Sequence, residues 1–184
     1  MLVDNFPYAQ AQEEYSMELQ GFAWNRPKLS TLIITAENES WWSNNYVNSA
    51  VRAFGQWNEA LTIFATNYTE YSYLSEIESQ WKLSNQWIEG YDLCINWTET
   101  LSESSGEVGL AITYTNGNGL IVICSIILAV QTNHGTCLIG IDMQNIALHE
   151  LGRSLDLSHS NYTDLLYSIY TLCQIAVSVP LDNG

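Results

Sequence analysis

A spaced pair of histidines in the C-terminal half constrains this chain more than any other feature of its sequence. His149 is followed directly by Glu150, and His159 stands at i+10 from the first histidine. Histidines at i and i+4 of a helix can share one Zn²⁺, while the carboxylate at i+1 holds the water that the metal activates. A turn at i+7 lets a third histidine at i+10 reach the same ion. The i+4 position of this chain holds Arg153 instead of a histidine.

The segment resembles the extended motif HExxHxxGxxH and the following methionine-containing turn of the metzincins, which are zinc metallopeptidases. Asp156 stands where the motif has its glycine, and Leu166 stands at the turn methionine. Ser160 after the last histidine, and the run Asp164 to Tyr167, are similar to the H-S and D-L-M-Y of the matrixin branch. The chain is therefore identified as matrixin-like, with a degenerate form of the motif.

The resemblance implies a fold and a domain organisation. The expected fold is α/β (α+β) and metzincin-like, with a twisted mixed sheet, a long backing helix and an active-site helix. We expect residues 1–184 to form a single domain in which the C-terminal helix of the family is missing. The apolar run 165–179 is then left under-covered, which favours a homo-oligomer.

The resemblance also implies roles for individual residues. His149 and His159 are the expected zinc ligands, Glu150 is the expected general base, and Tyr167 is expected to shape the pocket wall. Since Arg153 occupies a ligand position, zinc binding is expected to be weakened or lost. Two functions follow as alternatives: a zinc-dependent metalloendopeptidase acting on a peptide or protein substrate, or a catalytically inactive domain that serves as an extracellular peptide-binding or self-assembling component.

Arg153 affects a metal site in two ways. Losing one ligand weakens zinc binding by on the order of 3 kcal/mol. A guanidinium about 4 Å from the ion adds repulsion of roughly 8 kcal/mol at an effective dielectric constant of 20. We therefore expect Arg153 to replace the metal as the local cation and to pair with Asp156 at i+3 and with Glu150. Asp156 is alternatively a substitute oxygen ligand, and we expect it to adopt a positive φ in place of the family's glycine.

The composition excludes several classes of partner. Twenty acidic and five basic residues give a net charge of −15, which argues against nucleic acid and anionic membranes. The longest apolar candidate, 119–130, is shorter than a membrane span. The start of the sequence has no charged and apolar signal regions, so a secretory signal is expected to be absent or already removed. The near absence of lysine and the resemblance favour an extracellular or cell-surface protein. An acidic hydrolase with paired carboxylates has no support from residue spacing.

The four cysteines allow three disulfide pairings. Cys94 and Cys124 fall on apolar segments that could be neighbouring strands, and Cys137 and Cys173 flank the expected active-site helix. Four buried free thiols are the alternative.

Periodicity predicts the order of the elements. Apolar residues at i, i+3, i+4 and i+7 indicate a long amphipathic helix that begins near Ser43, and the sequence Asn-Gly-Asn-Gly at 116–119 indicates a hairpin turn. In the family an edge strand pairs with the extended substrate, and its counterpart is expected within 121–129. The predicted strands are 28–36, 91–97, 110–114 and 120–130, the second helix is 143–155, and 71–81 is ambiguous.

Overall fold

The computed structural model describes residues 19–26, 28–67, 81–101 and 106–160. These ranges contain five strands and two helices, so the described part of the chain is of mixed α/β class, as the sequence predicted. The elements are β1 (Thr31–Ile34), α1 (Asn44–Asn67), β2 (Trp81–Ser84), β3 (Leu93–Thr98), β4 (Gly109–Thr115), β5 (Ile121–Ala129) and α2 (Ile141–Ser154).

The sheet is mixed, and its strand order is β2-β1-β3-β5-β4. The pairs β1–β2, β1–β3 and β3–β5 are parallel, whereas β4 runs antiparallel to β5. The predicted edge strand within 121–129 is therefore wrong, because β5 lies between β3 and β4. The edge on that side of the described sheet is β4. The nearly continuous apolar sequence of β5 suits a strand with neighbours on both sides.

The long helix α1 has the predicted apolar face. Ala50, Phe54 and Trp57 are buried in one core cluster together with side chains of β3, β5 and α2. The indole nitrogen of Trp57 donates a hydrogen bond of 2.9 Å to the carbonyl oxygen of Leu148. This bond ties α1 to α2 at a buried point, so the position of α2 is fixed relative to the sheet and to α1.

The predicted hairpin is present between β4 and β5. The side chain of Asn116 accepts hydrogen bonds from the backbone amides of Asn118 (2.9 Å) and Leu120 (3.1 Å). Gly119 has a φ of 75°, a conformation that glycine adopts without the steric cost of a side chain. The turn explains why β4 and β5 are adjacent and antiparallel.

The predicted elements agree with the observed ones apart from shifts at their ends, but strand β2 was not predicted. Most of the ambiguous segment 71–81 and the whole apolar run 165–179 lie outside the described residues. Strand β1 was predicted at 28–36 and is observed at Thr31–Ile34, and β3 was predicted at 91–97 and is observed at Leu93–Thr98. Strand β4 was predicted at 110–114 and is observed at Gly109–Thr115, and β5 was predicted at 120–130 and is observed at Ile121–Ala129. Helix α2 was predicted at 143–155 and is observed at Ile141–Ser154.

Candidate functional site

Helix α2 carries the residues that the sequence singled out. Its buried side chains, among them Met143, Ile146 and Leu151, pack into the core cluster shared with α1 and the sheet. Consecutive positions of a helix point in different directions. Glu150 is consequently buried with 7% of its surface exposed, whereas its neighbour His149 is only partly buried.

The two histidines of the motif come together in the structure. The ring centroids of His149 and His159 are 5.2 Å apart, with an angle of 40° between the ring planes. Helix α2 ends at Ser154, and the chain turns back at Asp156, whose φ of 78° confirms the predicted positive value. His159 is exposed at the mouth of this turn. The sequence motif therefore identified two side chains that are neighbours in the structure.

The turn after α2 is held by the N-terminal segment 19–24. Gln20 donates hydrogen bonds of 3.1 Å from its side-chain nitrogen to the carbonyl oxygens of Arg153 and Leu157. The indole nitrogen of Trp24 donates a bond of 2.9 Å to the carbonyl oxygen of Ser154. The last carbonyls of a helix have no partner within the helix, and the bond from Trp24 satisfies one of them at Ser154. The segment 19–24 thus positions the loop that carries His159.

Asp156 has a different role from the two that the sequence suggested. Its carboxylate accepts hydrogen bonds from the backbone amides of Phe22 (2.8 Å) and Gly21 (3.2 Å). Both oxygens are therefore engaged by the N-terminal segment, and no Arg153–Asp156 ion pair is recorded in the described part of the chain. These partners of Asp156 lie more than 130 residues away in sequence, so helical spacing could not reveal them and indicated Arg153 instead.

The positive charge of Arg153 affects the pKa of two neighbouring side chains, Glu150 and His159. One guanidinium nitrogen donates a hydrogen bond of 3.0 Å to the carbonyl oxygen of Leu157. Desolvation first, and then the positive charge of Arg153, lower the pKa of His159 below its usual value. The same charge partly offsets the effect of burial on Glu150. Arg153 is thus a cation close to Glu150 and His159. The predicted ion pair between Arg153 and Glu150 is not found within the described residues, where the ion pair joins Arg26 and Asp92.

Glu150 packs against the edge strand β4. Its carboxylate accepts a hydrogen bond from the backbone amide of Ala111, and its burial raises its pKa to about 7 from 4.5. Gly109 makes this approach feasible, because a Cβ added there would lie 2.5 Å from Glu150 Oε1 and 2.8 Å from Ile146 Cγ2. The sequence analysis missed Gly109 and Ala111. A glycine at the start of an apolar strand was the available signal, since it often marks a close approach of another group.

Replacing Gly109 with alanine tests this close packing. We expect the variant to lose about 1–3 kcal/mol of free energy of unfolding, because the new methyl group must displace Glu150 and the branched side chain of Ile146. Urea denaturation measures the change. Gly117→Ala is the matched control, since a Cβ at Gly117 meets no atom within 4 Å, and its loss should stay within about 0.5 kcal/mol. Equal losses in the two variants would contradict the packing argument.

The residues present do not fit a catalytic zinc ion. Such a site takes three protein ligands from histidine nitrogen, cysteine sulfur or carboxylate oxygen. His149 and His159 supply two donors, but the guanidinium of Arg153 has no lone pair to offer and carries a positive charge. Across the described ranges, no group of three or more histidine, cysteine, aspartate or glutamate side chains is arranged to hold a metal. Leu166 and Tyr167, the expected turn and pocket residues, lie outside these ranges.

The described cysteines are free thiols. Cys94 and Cys124 do lie on the adjacent strands β3 and β5, as predicted, and both are buried. Leu93, not Cys94, is aligned with Cys124, so the strand pleat directs the two thiols to opposite faces of the sheet. Burial raises the pKa of each thiol to about 11. Cys137 is exposed and free, and its expected counterpart Cys173 lies outside the described residues.

Comparison with known proteins does not identify a family. The chain matches no protein-family model and shows no significant match to a curated protein. Within the described residues, neither helix combines the length and the apolar character that crossing a bilayer requires.

Proposed function

We propose that this chain is a matrixin-like metzincin domain whose metal centre has been rebuilt around Arg153, and that it binds extended peptides along strand β4 without zinc-dependent hydrolysis. Two features support the metzincin part of the proposal. The residue pattern around His149 and His159 resembles the family motif, and these two rings come within 5.2 Å of each other. The mixed sheet, the long helix α1 and the site helix α2 agree with the architecture that the resemblance implies.

The observation that carries the binding proposal is the outer edge of β4, which pairs with no other strand among the described residues. Val108 accepts a hydrogen bond of 2.9 Å from the backbone amide of Ala129 on β5. Hydrogen-bonded and non-bonded pairs alternate along an antiparallel ladder. By the register of the two strands, the backbone groups of Gly109, Ala111 and Thr113 therefore point away from β5. An extended peptide can add to such an edge through main-chain hydrogen bonds.

The same edge runs beside the candidate site. The amide of Ala111 donates to the carboxylate of Glu150, so the strand and helix α2 meet at this point. The backbone groups of Gly109 and Thr113 lie on either side of Ala111 along the edge. Because Glu150 already occupies the amide of Ala111, a peptide would pair with the edge at Thr113 and run toward Glu150 and helix α2. The loss of a metal ligand leaves this main-chain recognition unaffected, because the edge contributes backbone groups only.

The test compares two substitutions at Thr113. Thr113→Pro removes the outward-pointing amide from the edge, and proline is tolerated at edge positions whose amide is not part of the ladder. Thr113→Val retains the amide and the shape of the side chain. We expect the proline variant to bind the N-terminally fluorescein-labelled peptide Ala-Val-Thr-Val-Ala-Ala about tenfold more weakly than the valine variant, as measured by fluorescence anisotropy.

Two further readouts make this test decisive. Thermal unfolding of both variants verifies that each is folded. Mass spectrometry of the peptide after incubation with the parent protein and added zinc should return it intact. Equal binding by the two folded variants would contradict the assignment to the β4 edge, and cleavage by the parent would contradict the non-hydrolytic part of the proposal.

A further inference from the structure

We infer that Arg153 is an anion receptor that binds the C-terminal carboxylate of a peptide lying along β4. This inference rests on the proposed function, because it identifies which part of a bound peptide reaches the cluster of His149, Arg153 and His159. Where the family's motif holds a zinc ion that polarises a carbonyl group, this chain has the guanidinium of Arg153, which is planar and carries a single positive charge. A planar guanidinium matches a carboxylate in geometry and can bind both of its oxygens.

The hydrogen bonds of Arg153 leave donors for a ligand. A guanidinium has five N–H donors. In the described part of the chain, one of its nitrogens donates to the carbonyl oxygen of Leu157 at 3.0 Å, a bond that fixes the orientation of the planar group. The side chain is half-buried, which strengthens its interaction with an anion relative to a fully solvated arginine. Arg153 is therefore held in place and still able to bind.

The surroundings favour an anion at Arg153 over other positions. The exposed ring of His159 can add an N–H donor at the mouth of the turn. Glu150 is close enough to Arg153 to be affected by its charge, but the Glu150 carboxylate is buried and accepts a hydrogen bond from the amide of Ala111 on β4. Arg26 is already paired with Asp92, and Arg52 is exposed on α1, where solvent weakens its interaction with an anion.

The net charge makes the recognition specific to this position. The chain carries −15 overall, so its long-range field repels anions. A carboxylate from solution is therefore bound best where a cation contacts it directly. The terminal carboxylate of a peptide that pairs with β4 and ends at Arg153 makes this direct contact with a cation. A phosphate ion or a small free carboxylate lacks the main-chain hydrogen bonds to β4 and would therefore bind more weakly.

The experiment compares three forms of the labelled peptide Ala-Val-Thr-Val-Ala-Ala at physiological salt. The first has a free C-terminal carboxylate, the second has a C-terminal amide, and the third has the amide with its last alanine replaced by aspartate. We expect the parent protein to bind the free-carboxylate form about tenfold more tightly than either amide form. In Arg153→Met this preference should disappear, while Arg52→Met, which removes the same charge on α1, should retain it.

Each outcome separates the inference from the function on which it rests. Equal binding of the free-carboxylate and amide forms, both sensitive to Thr113→Pro, would retain the peptide-binding proposal and overturn the anion receptor. Tighter binding of the aspartate form than of the free-carboxylate form would overturn the terminal assignment. A preference that persists in Arg153→Met would overturn the role of Arg153. If no form binds the folded parent, the proposed function itself fails.

Discussion

Arg153→His is expected to raise the zinc affinity of this protein by at least two orders of magnitude. The introduced imidazole stands one helical turn from His149, and His159 already lies with its ring 5.2 Å from that of His149. One additional ligand contributes on the order of 3 kcal/mol to zinc binding, which corresponds to about two decades of affinity. Removal of the guanidinium also abolishes a repulsion of roughly 8 kcal/mol for an ion about 4 Å away.

Zinc content measured by mass spectrometry, together with calorimetric titration, tests this expectation. The parent should hold no stoichiometric zinc, and the variant should hold about one ion per chain. Arg153→Ala is the matched control, because it removes the cation without supplying a ligand, and its affinity should lie between the two. Stoichiometric zinc in the parent would contradict the rebuilt centre, whereas its absence from a folded Arg153→His would show that the two histidines cannot converge on one ion.

Elements whose signal is local were predictable from the sequence. The buried face of α1, with Ala50, Phe54 and Trp57, follows from apolar residues at helical spacing, and that spacing requires no knowledge of the rest of the fold. The hairpin after β4 follows from the turn residues in the same way. The positive φ of Asp156 was predicted from the resemblance, because the family motif has a glycine at this position and aspartate tolerates the same conformation.

Features that depend on distant residues were not predictable. Strands β4 and β5 are both apolar, and only the parallel pairing of β5 with β3 decides that β4 is the edge. The carboxylate of Asp156 binds amides of Gly21 and Phe22, which belong to the other end of the described chain. The packing of Glu150 on Gly109 also joins separate elements. Local patterns report spacing along one element, and these contacts depend on how elements are assembled.

The burial of Glu150 makes the stability of the protein depend on pH. Its pKa is raised to about 7 in the folded protein from 4.5, so the folded state binds the proton more tightly than the unfolded state. The stabilising contribution of the protonated carboxyl group is fully present below pH 4.5 and is lost as the pH rises through 7. A shift of this size corresponds to about 3 kcal/mol between the two ends of that range.

Glu150→Gln is expected to remove this dependence, because the amide is neutral at every pH and has a similar shape. Between pH 4 and pH 8, the free energy of unfolding of the variant should rise relative to the parent by about 3 kcal/mol, as measured by urea denaturation at each pH. Glu39→Gln, at an exposed position, controls for the general change in net charge. A difference between Glu150→Gln and the parent that stays constant with pH would show that the carboxyl group is solvated. The Ala111 contact would then fail to hold Glu150 against β4, and the amide of Ala111 would also be available to a peptide.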